Sequence, residues 1–261
     1  MGQIICISSL KGGVGKTTTA VNLSTAMAMA ERKTLLVDCD PQGHATTGLG
    51  IDKERVSKTL YQAMIGKIDI TRPITDTQLE FLKLIPTGSD LCHAEEELTM
   101  RSDGERQLGN LLQGLRAAFD YIIIDSPPSM NFLAKNSIAA ADSLLIPLQC
   151  EFYALEGMGD LLQAVRSLKD RYNLRIRIKG ILLTMIDEKE EMCLKIVEAA
   201  RKHFKGMVFR TMIPRNVELR ESAGHGKPLL LRNILSPGAK GYLELAKEIM
   251  ADNHANTGAY L

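Results

Sequence analysis

The sequence predicts an α/β domain built on a mostly parallel central β-sheet with helices on both faces. Three observations carry that expectation. Short apolar runs alternate with stretches of helical periodicity, and the connections between them are brief. Several of the runs are unbroken Ile, Leu and Val, as in strands buried on both faces, and do not alternate with polar residues. The first run enters a glycine-rich turn that opens directly into the first helical stretch.

Taken in order, the predicted strands are Gln3–Ser8, Thr34–Asp38, Phe81–Ile85, Tyr121–Asp125, Ser143–Pro147, Ile176–Leu183 and Met207–Met212. The predicted helices cover 16–30, 57–65, 104–118, 131–141, 155–171, 188–204, 217–223 and 238–251. Residues 46–106 are the least regular stretch, with several Gly, Pro and Asp breaks, and read as an insertion beside the sheet. No repeat, heptad seam or low-complexity tract interrupts the pattern, so residues 1–251 are expected to form one domain. The polar end, 252–261, is expected to be a flexible tail.

With 261 residues, 45% of them hydrophobic and 24% charged, the chain has the composition of a globular domain with a full core. The N-terminus lacks the basic and apolar regions of a secretion signal, and no apolar stretch approaches the ~20 residues of a membrane span. A cytoplasmic protein without a membrane anchor is therefore expected. The five cysteines (Cys6, Cys39, Cys92, Cys150, Cys193) are scattered, with no CxxC, and read as reduced thiols and not as a metal site. The net charge of +1 hides an asymmetry: residues 166–247 hold 18 Lys and Arg against 9 Asp and Glu. A basic third of this kind suggests a polyanion-binding face.

The turn after the first strand reads Lys11-Gly12-Gly13-Val14-Gly15-Lys16-Thr17-Thr18. Glycines let successive backbone N–H groups point into one concavity, and the helix N-terminus adds positive potential there. Lys16 can reach terminal phosphates, Thr17 can ligate Mg²⁺ through its hydroxyl, and Thr18 is placed for an α-phosphate contact. These are the parts of a phosphate loop, and the implied ligand is Mg·ATP. Two later strands end in carboxylates, Asp38 with Asp40 on one and Asp125 on another. Active groups of open α/β sheets gather at that edge. Asp38 can equally serve only to cap a turn. The late strand ends Thr184-Met-Ile-Asp187, without the lysine of guanine-specific proteins, so adenine is the expected base.

The loop departs from the ordinary GxxxxGK[ST] pattern, with Leu10 in place of the first glycine and a second lysine, Lys11, behind it. That variant resembles the deviant phosphate loop of the ParA/MinD ATPases. The likeness extends over nearly the whole chain and is greatest to the ParA/Soj partition ATPases. Its runs are DCDPQGHATTGLG (38–50), IPLQCEFYALEG (146–157), LLTM (182–185), IPRNV (213–217), GKPL (226–229) and YLELAKE (242–248).

The resemblance implies that Lys11 crosses a homodimer interface to touch the partner's ATP. It implies that Asp40 orients the attacking water and that Asp125 holds Mg²⁺ through water. Met185, Pro214 and Asn216 are implied at the adenine side of the nucleotide site, and Glu156 near the dimer interface. It further implies an ATP-sandwich dimer that binds DNA non-specifically and is stimulated by a ParB-type partner. At one position the family's arginine for DNA contact is replaced by Glu218; Lys189 and Arg220 are the basic candidates that remain. A positioning ATPase acting on a protein cargo or scaffold is the alternative. A metabolic or iron–sulfur relative of the same superfamily is the more distant one.

Overall fold

The computed structural model describes residues 1–101, 103–151, 156–172, 174–252 and 259–260. Eight strands form one sheet: β1 (Gln3–Ile7), β2 (Thr34–Asp38), β3 (Thr75–Asp76), β4 (Leu82–Ile85), β5 (Tyr121–Asp125), β6 (Ser143–Gln149), β7 (Arg177–Thr184) and β8 (Ala259–Tyr260). Their order is β3-β4-β2-β5-β1-β6-β7-β8. The six inner strands are parallel, and the two-residue strands β3 and β8 close the edges antiparallel. From β1 the chain moves outward to β2 on one side, and from β5 it crosses β1 to reach β6 on the other. That reversal places a crevice at the C-terminal end of β1, where ligands of such sheets bind.

Alternate residues of each strand feed two cores. Ile5, Ile7, Leu36 and Ile123 pack under the helix Lys16–Met29 and the C-terminal helix Pro237–Asp252. Ile4, Cys6, Leu35, Val37, Ile122 and Ile124 pack under the helices Gln107–Gln113, Phe132–Ala140, Glu156–Tyr172 and Glu191–His203. Each fully buried Ile or Leu contributes ~1.5–3 kcal/mol, so the central strands anchor everything mounted on their ends. The helix Lys16–Met29 is buried from Thr19 to Ala28, clasped between the sheet and the C-terminal helix. Two of its buried polar side chains bond within the element, Asn22 donating to the Thr18 carbonyl and Thr25 to the Val21 carbonyl, which eases the covering of both faces.

Residues 46–106 do not stand apart from the sheet. They supply β3 and β4, and Leu60, Ala63, Met64, Leu91, Ala94 and Leu98 enter the core on one face. The helix expected over 57–65 shortens to Leu60–Met64, started by a capping box of Thr59 and Gln62. The one expected over 104–118 becomes a 3₁₀ turn, Gly104–Arg106, followed by Gln107–Gln113.

The strand expected at Met207–Met212 is replaced by an irregular segment flanked by two isolated bridges, Val208 with Ile181 of β7 and Pro214 with Ile186 just beyond the end of β7. Between them the backbone N–H groups of Arg210 and Thr211 donate to the Glu248 carboxylate, at 2.8 and 3.0 Å. A side chain of the C-terminal helix thus takes the place of ladder bonds, and Pro214 has no N–H to offer. Phe209 presses its ring onto Gly180, where a Cβ would lie 2.5 Å from it. Of the last ten residues, Ala259 and Tyr260 pair with Ile178 and Arg177 on β7.

Candidate functional site

The site forms where β1, β2 and β5 end. Parallel register sets Ile7 beside Asp125 and Asp38 beside Asp125, so both carboxylates stand next to the turn that leaves β1. That turn takes its shape from Gly13 (φ 76°) and Gly15 (φ 92°), left-handed conformations costly for residues with a Cβ. Buried Val14 anchors it from below, its carbonyl accepting a 2.9 Å hydrogen bond from Thr184 Oγ1. The helix starting at Lys16 has no side-chain cap and no acidic residue in its first turn. Its free N–H groups and positive end therefore face the cleft.

Lys16 is buried, and its Nζ donates to the Lys11 carbonyl at 3.1 Å. Burial lowers its pKa from the ordinary lysine value, against the pull of Asp125 and Asp40. Asp38 is fully buried and accepts from Thr46 N (2.8 Å), Thr46 Oγ1 (2.7 Å) and Asp40 N (3.3 Å). Burial pushes its pKa up to about 6, with the Thr46 bonds pulling the other way. Asp38 therefore ties down the loop that carries Asp40, which is the turn-capping role. Asp40 itself accepts from Gln42 N at 3.0 Å and lines the cleft.

Asp125 is in the opposite condition. It is fully buried, and neither carboxylate oxygen has a hydrogen-bond partner of good geometry. Burial, and then the charge of Asp38, push its carboxyl well above the usual range, and the nearby Thr17 hydroxyl and Lys16 ammonium do not compensate. An orphaned buried carboxylate beside a threonine hydroxyl is a costly arrangement that a hydrated divalent cation would relieve. Thr17 and Asp125 thus fit Mg²⁺ by the chemistry of their donors.

One cleft of about 740 Å³ joins most of the expected parts, while Asp125 and Val14 lie buried behind its lining. Gly12, Gly13, Gly15, Lys16, Thr17, Thr18 and Asp40 line its phosphate end, while Met185, Ile213, Pro214, Asn216 and Val217 line the other. Asn216 also caps the helix Val217–Gly224, its Oδ1 accepting from Leu219 N (3.3 Å) and its Nδ2 donating to Ser236 Oγ (2.9 Å). Arg220 lines this cleft too, at the base end. Lys189 does not; it is exposed in the turn before Glu191–His203. Glu218 accepts from Asn233 Nδ2 at 3.0 Å, and the hydrogen bonds of Asn233 and Ser236 lower its pKa. Glu156 begins its helix, but its side chain lies outside the described residues.

Lys11 does not turn into the cleft. Its Nζ forms a 2.5 Å ion pair with Glu151, whose other carboxylate oxygen accepts from Gln149 Nε2. Sequence reasoning did not single out Glu151 or Thr46. Both lie inside runs that carry the family resemblance, but only the fold brings them to Lys11 and Asp38. Tyr242 was missed as well: it lines the cleft, and its hydroxyl is 3.1 Å from Thr19 Oγ1. No group of three or more metal-ligating side chains occurs among the described residues, and none of their helices is long and apolar enough to cross a membrane.

Comparison with known proteins agrees with this geometry. Residues 2–178 match a family model described as an AAA domain. The chromosome partitioning protein ParA of Myxococcus xanthus is 47% identical over 250 residues, covering 96% of this chain and 88% of that protein. The sporulation initiation inhibitor protein Soj of Bacillus subtilis is 45% identical over 252 residues, covering 97% and 100%. Among solved structures, a cobyrinic acid a,c-diamide synthase of Mycobacterium smegmatis with bound ADP and magnesium superposes with a TM-score of 0.87 at 29% identity, covering 98% and 97%. The septum site-determining protein MinD of Pyrococcus horikoshii, complexed with Mg-ADP, gives 0.81 at 26%, covering 98% and 99%. With the deviant phosphate loop, the carboxylates beside it and this full-length likeness, the chain belongs to the ParA/Soj family of P-loop partitioning ATPases.

Proposed function

We propose that the protein is a Mg-dependent ATPase that dimerises around two ATP molecules, binds DNA non-specifically in that state, and partitions a chromosome or plasmid. A ParB-type partner would stimulate hydrolysis and release the dimer. The observation that carries the reading is the position of Lys11. It is the second lysine of the loop, yet it turns away from its own cleft and leaves Lys16 alone to serve that site. A charged donor at the cleft mouth, held by a half-exposed carboxylate, is placed to serve a nucleotide on another chain once that pair opens.

Each step rests on a residue already placed. The N–H groups of the loop and Lys16 bind the phosphates. Thr17 and Asp125 would hold Mg²⁺, which when bound neutralises phosphate charge during transfer. Asp40 orients the attacking water, fixed in place by the Asp38–Thr46 bonds. Phosphoryl transfer asks mainly for positioning and charge neutralisation, so this set suffices. Met185 and Pro214 offer the adenine an apolar wall.

The basic 166–247 stretch supports DNA binding, while Arg220, placed in the nucleotide cleft, is a poor candidate for it. The carboxylate of Glu218, held by Asn233, favours the second reading, a positioning ATPase for a protein cargo. Retention on arbitrary duplex DNA separates the two. The partition reading expects retention that needs ATP and falls steeply with salt. A stable ATP dimer with no retention at low salt would leave the cargo reading in its place.

A further inference from the structure

At the edge of the sheet opposite the nucleotide cleft, where β1, β6 and β7 begin, lies a second cavity of about 250 Å³. Three arginines converge on it, Arg106, Arg116 and Arg175, together with the amides of Asn110 and Gln113. Gly109, Ala139, Ala140 and Ala141 form its small-residue wall, where the helix Gln107–Gln113 comes so close to Phe132–Ala140 that a Cβ on Gly109 would sit 3.3 Å from the Ala140 backbone.

Arg116 is the fixed wall. It makes two 2.8 Å bonds to the Asp142 carboxylate and a 3.1 Å bond to the Gly2 carbonyl, while its buried Nε has no partner. Arg106 and Arg175 are exposed, and neither forms an ion pair among the described residues. Asp142, already committed to Arg116 and to Ile4 N, is the single carboxylate lining the cavity. Two unpaired guanidinium groups beside a third that is locked form a fork suited to an oxyanion, which accepts bidentate charge-assisted bonds.

We propose that this cavity is an anion site, separate from the ATP cleft, that takes a small soluble phosphate-type ligand. A concave space about a third the volume of the nucleotide cleft suits a phosphate or diphosphate group. Nucleotide binding and hydrolysis in the proposed cycle use none of these residues; Arg175 also belongs to the basic 166–247 stretch, so DNA retention is read beside anion binding.

The test is a calorimetric titration with inorganic pyrophosphate, on protein whose phosphate loop is saturated with Mg²⁺ and a non-hydrolysable ATP analogue. One saturable site per chain is expected at low salt. Arg106→Ala and Arg175→Ala should each weaken it about tenfold, and the double variant should lose saturation while keeping its nucleotide affinity and melting temperature. Absence of a saturable site in the wild type overturns the proposal, as does a double variant that binds like wild type. Weaker DNA retention by the double variant without any pyrophosphate binding overturns it too, in favour of a nucleic-acid contact.

Discussion

The two ends of the nucleotide cleft are built on opposite principles. The phosphate end gathers buried charge: Lys16, Asp38, Asp40 and Asp125 are all at most 8% exposed. The base end presents Met185, Ile213, Pro214 and Val217, apolar surface and backbone shape. One end is under electrostatic tension until a ligand arrives, and the other has no buried charge in its lining. Substitutions at the first should therefore change binding and chemistry severely, and substitutions at the second should change affinity modestly.

The largest effect is expected from Lys16→Ala. Removing the buried ammonium leaves phosphate charge without its main partner, a loss of about 2–5 kcal/mol in nucleotide affinity. Fluorescent-nucleotide titration measures it; affinity within threefold of wild type would erase the contrast between the two ends. Asp40→Ala comes next. Turnover should fall about a hundredfold or more while ATP affinity stays near wild type, since water orientation is lost and the binding groups remain. Phosphate release under single-turnover conditions separates the two quantities.

The buried carboxylates also predict a pH dependence. The folded pKa of Asp38, about 6, lies above the ordinary 3.8, so the folded protein holds that proton more tightly than the unfolded chain. The stabilisation is complete below about pH 4 and is lost as pH rises through about 6. Nucleotide-free protein should therefore lose stability over that window, and Asp38→Asn should flatten the slope. Thermal melts of both proteins between pH 4 and 8 would show it, and parallel slopes would refute this role for Asp38. The smallest effect is expected at the base end. Asn216→Ala should cost about 1 kcal/mol of stability through loss of the helix cap. Asn216→Asp, which keeps a capping oxygen, should restore most of it.

The same contrast decides how much could be read beforehand. The phosphate end was legible because its parts are local: a strand, glycines with positive φ and a helix start follow one another along residues 3–18. Strands β2 and β5 were readable to the residue, since unbroken Leu, Val and Ile runs admit little else. The segment 207–212 was not, because its apolar pattern suits a strand while the outcome turns on Glu248, some forty positions later. Glu151 and Thr46 were missed for a related reason. Their partners are reached across the sheet edge or through a loop, and no spacing rule encodes either contact. The early stop of the helix expected over 104–118 was missed as well, since apolar residues continue past Gln113 to Leu115.

In the proposed function the Lys11–Glu151 ion pair would link the site to assembly, and ATP would convert this chain into a dimer through Lys11. Sedimentation velocity of the Asp40→Ala protein, with and without Mg·ATP, tests that claim most directly. The molecular mass should double when Mg·ATP is added, and the additional change Lys11→Ala should return it to the monomer while leaving nucleotide bound. A protein that stays monomeric with Mg·ATP bound, or one that dimerises equally well without Lys11, would contradict the account.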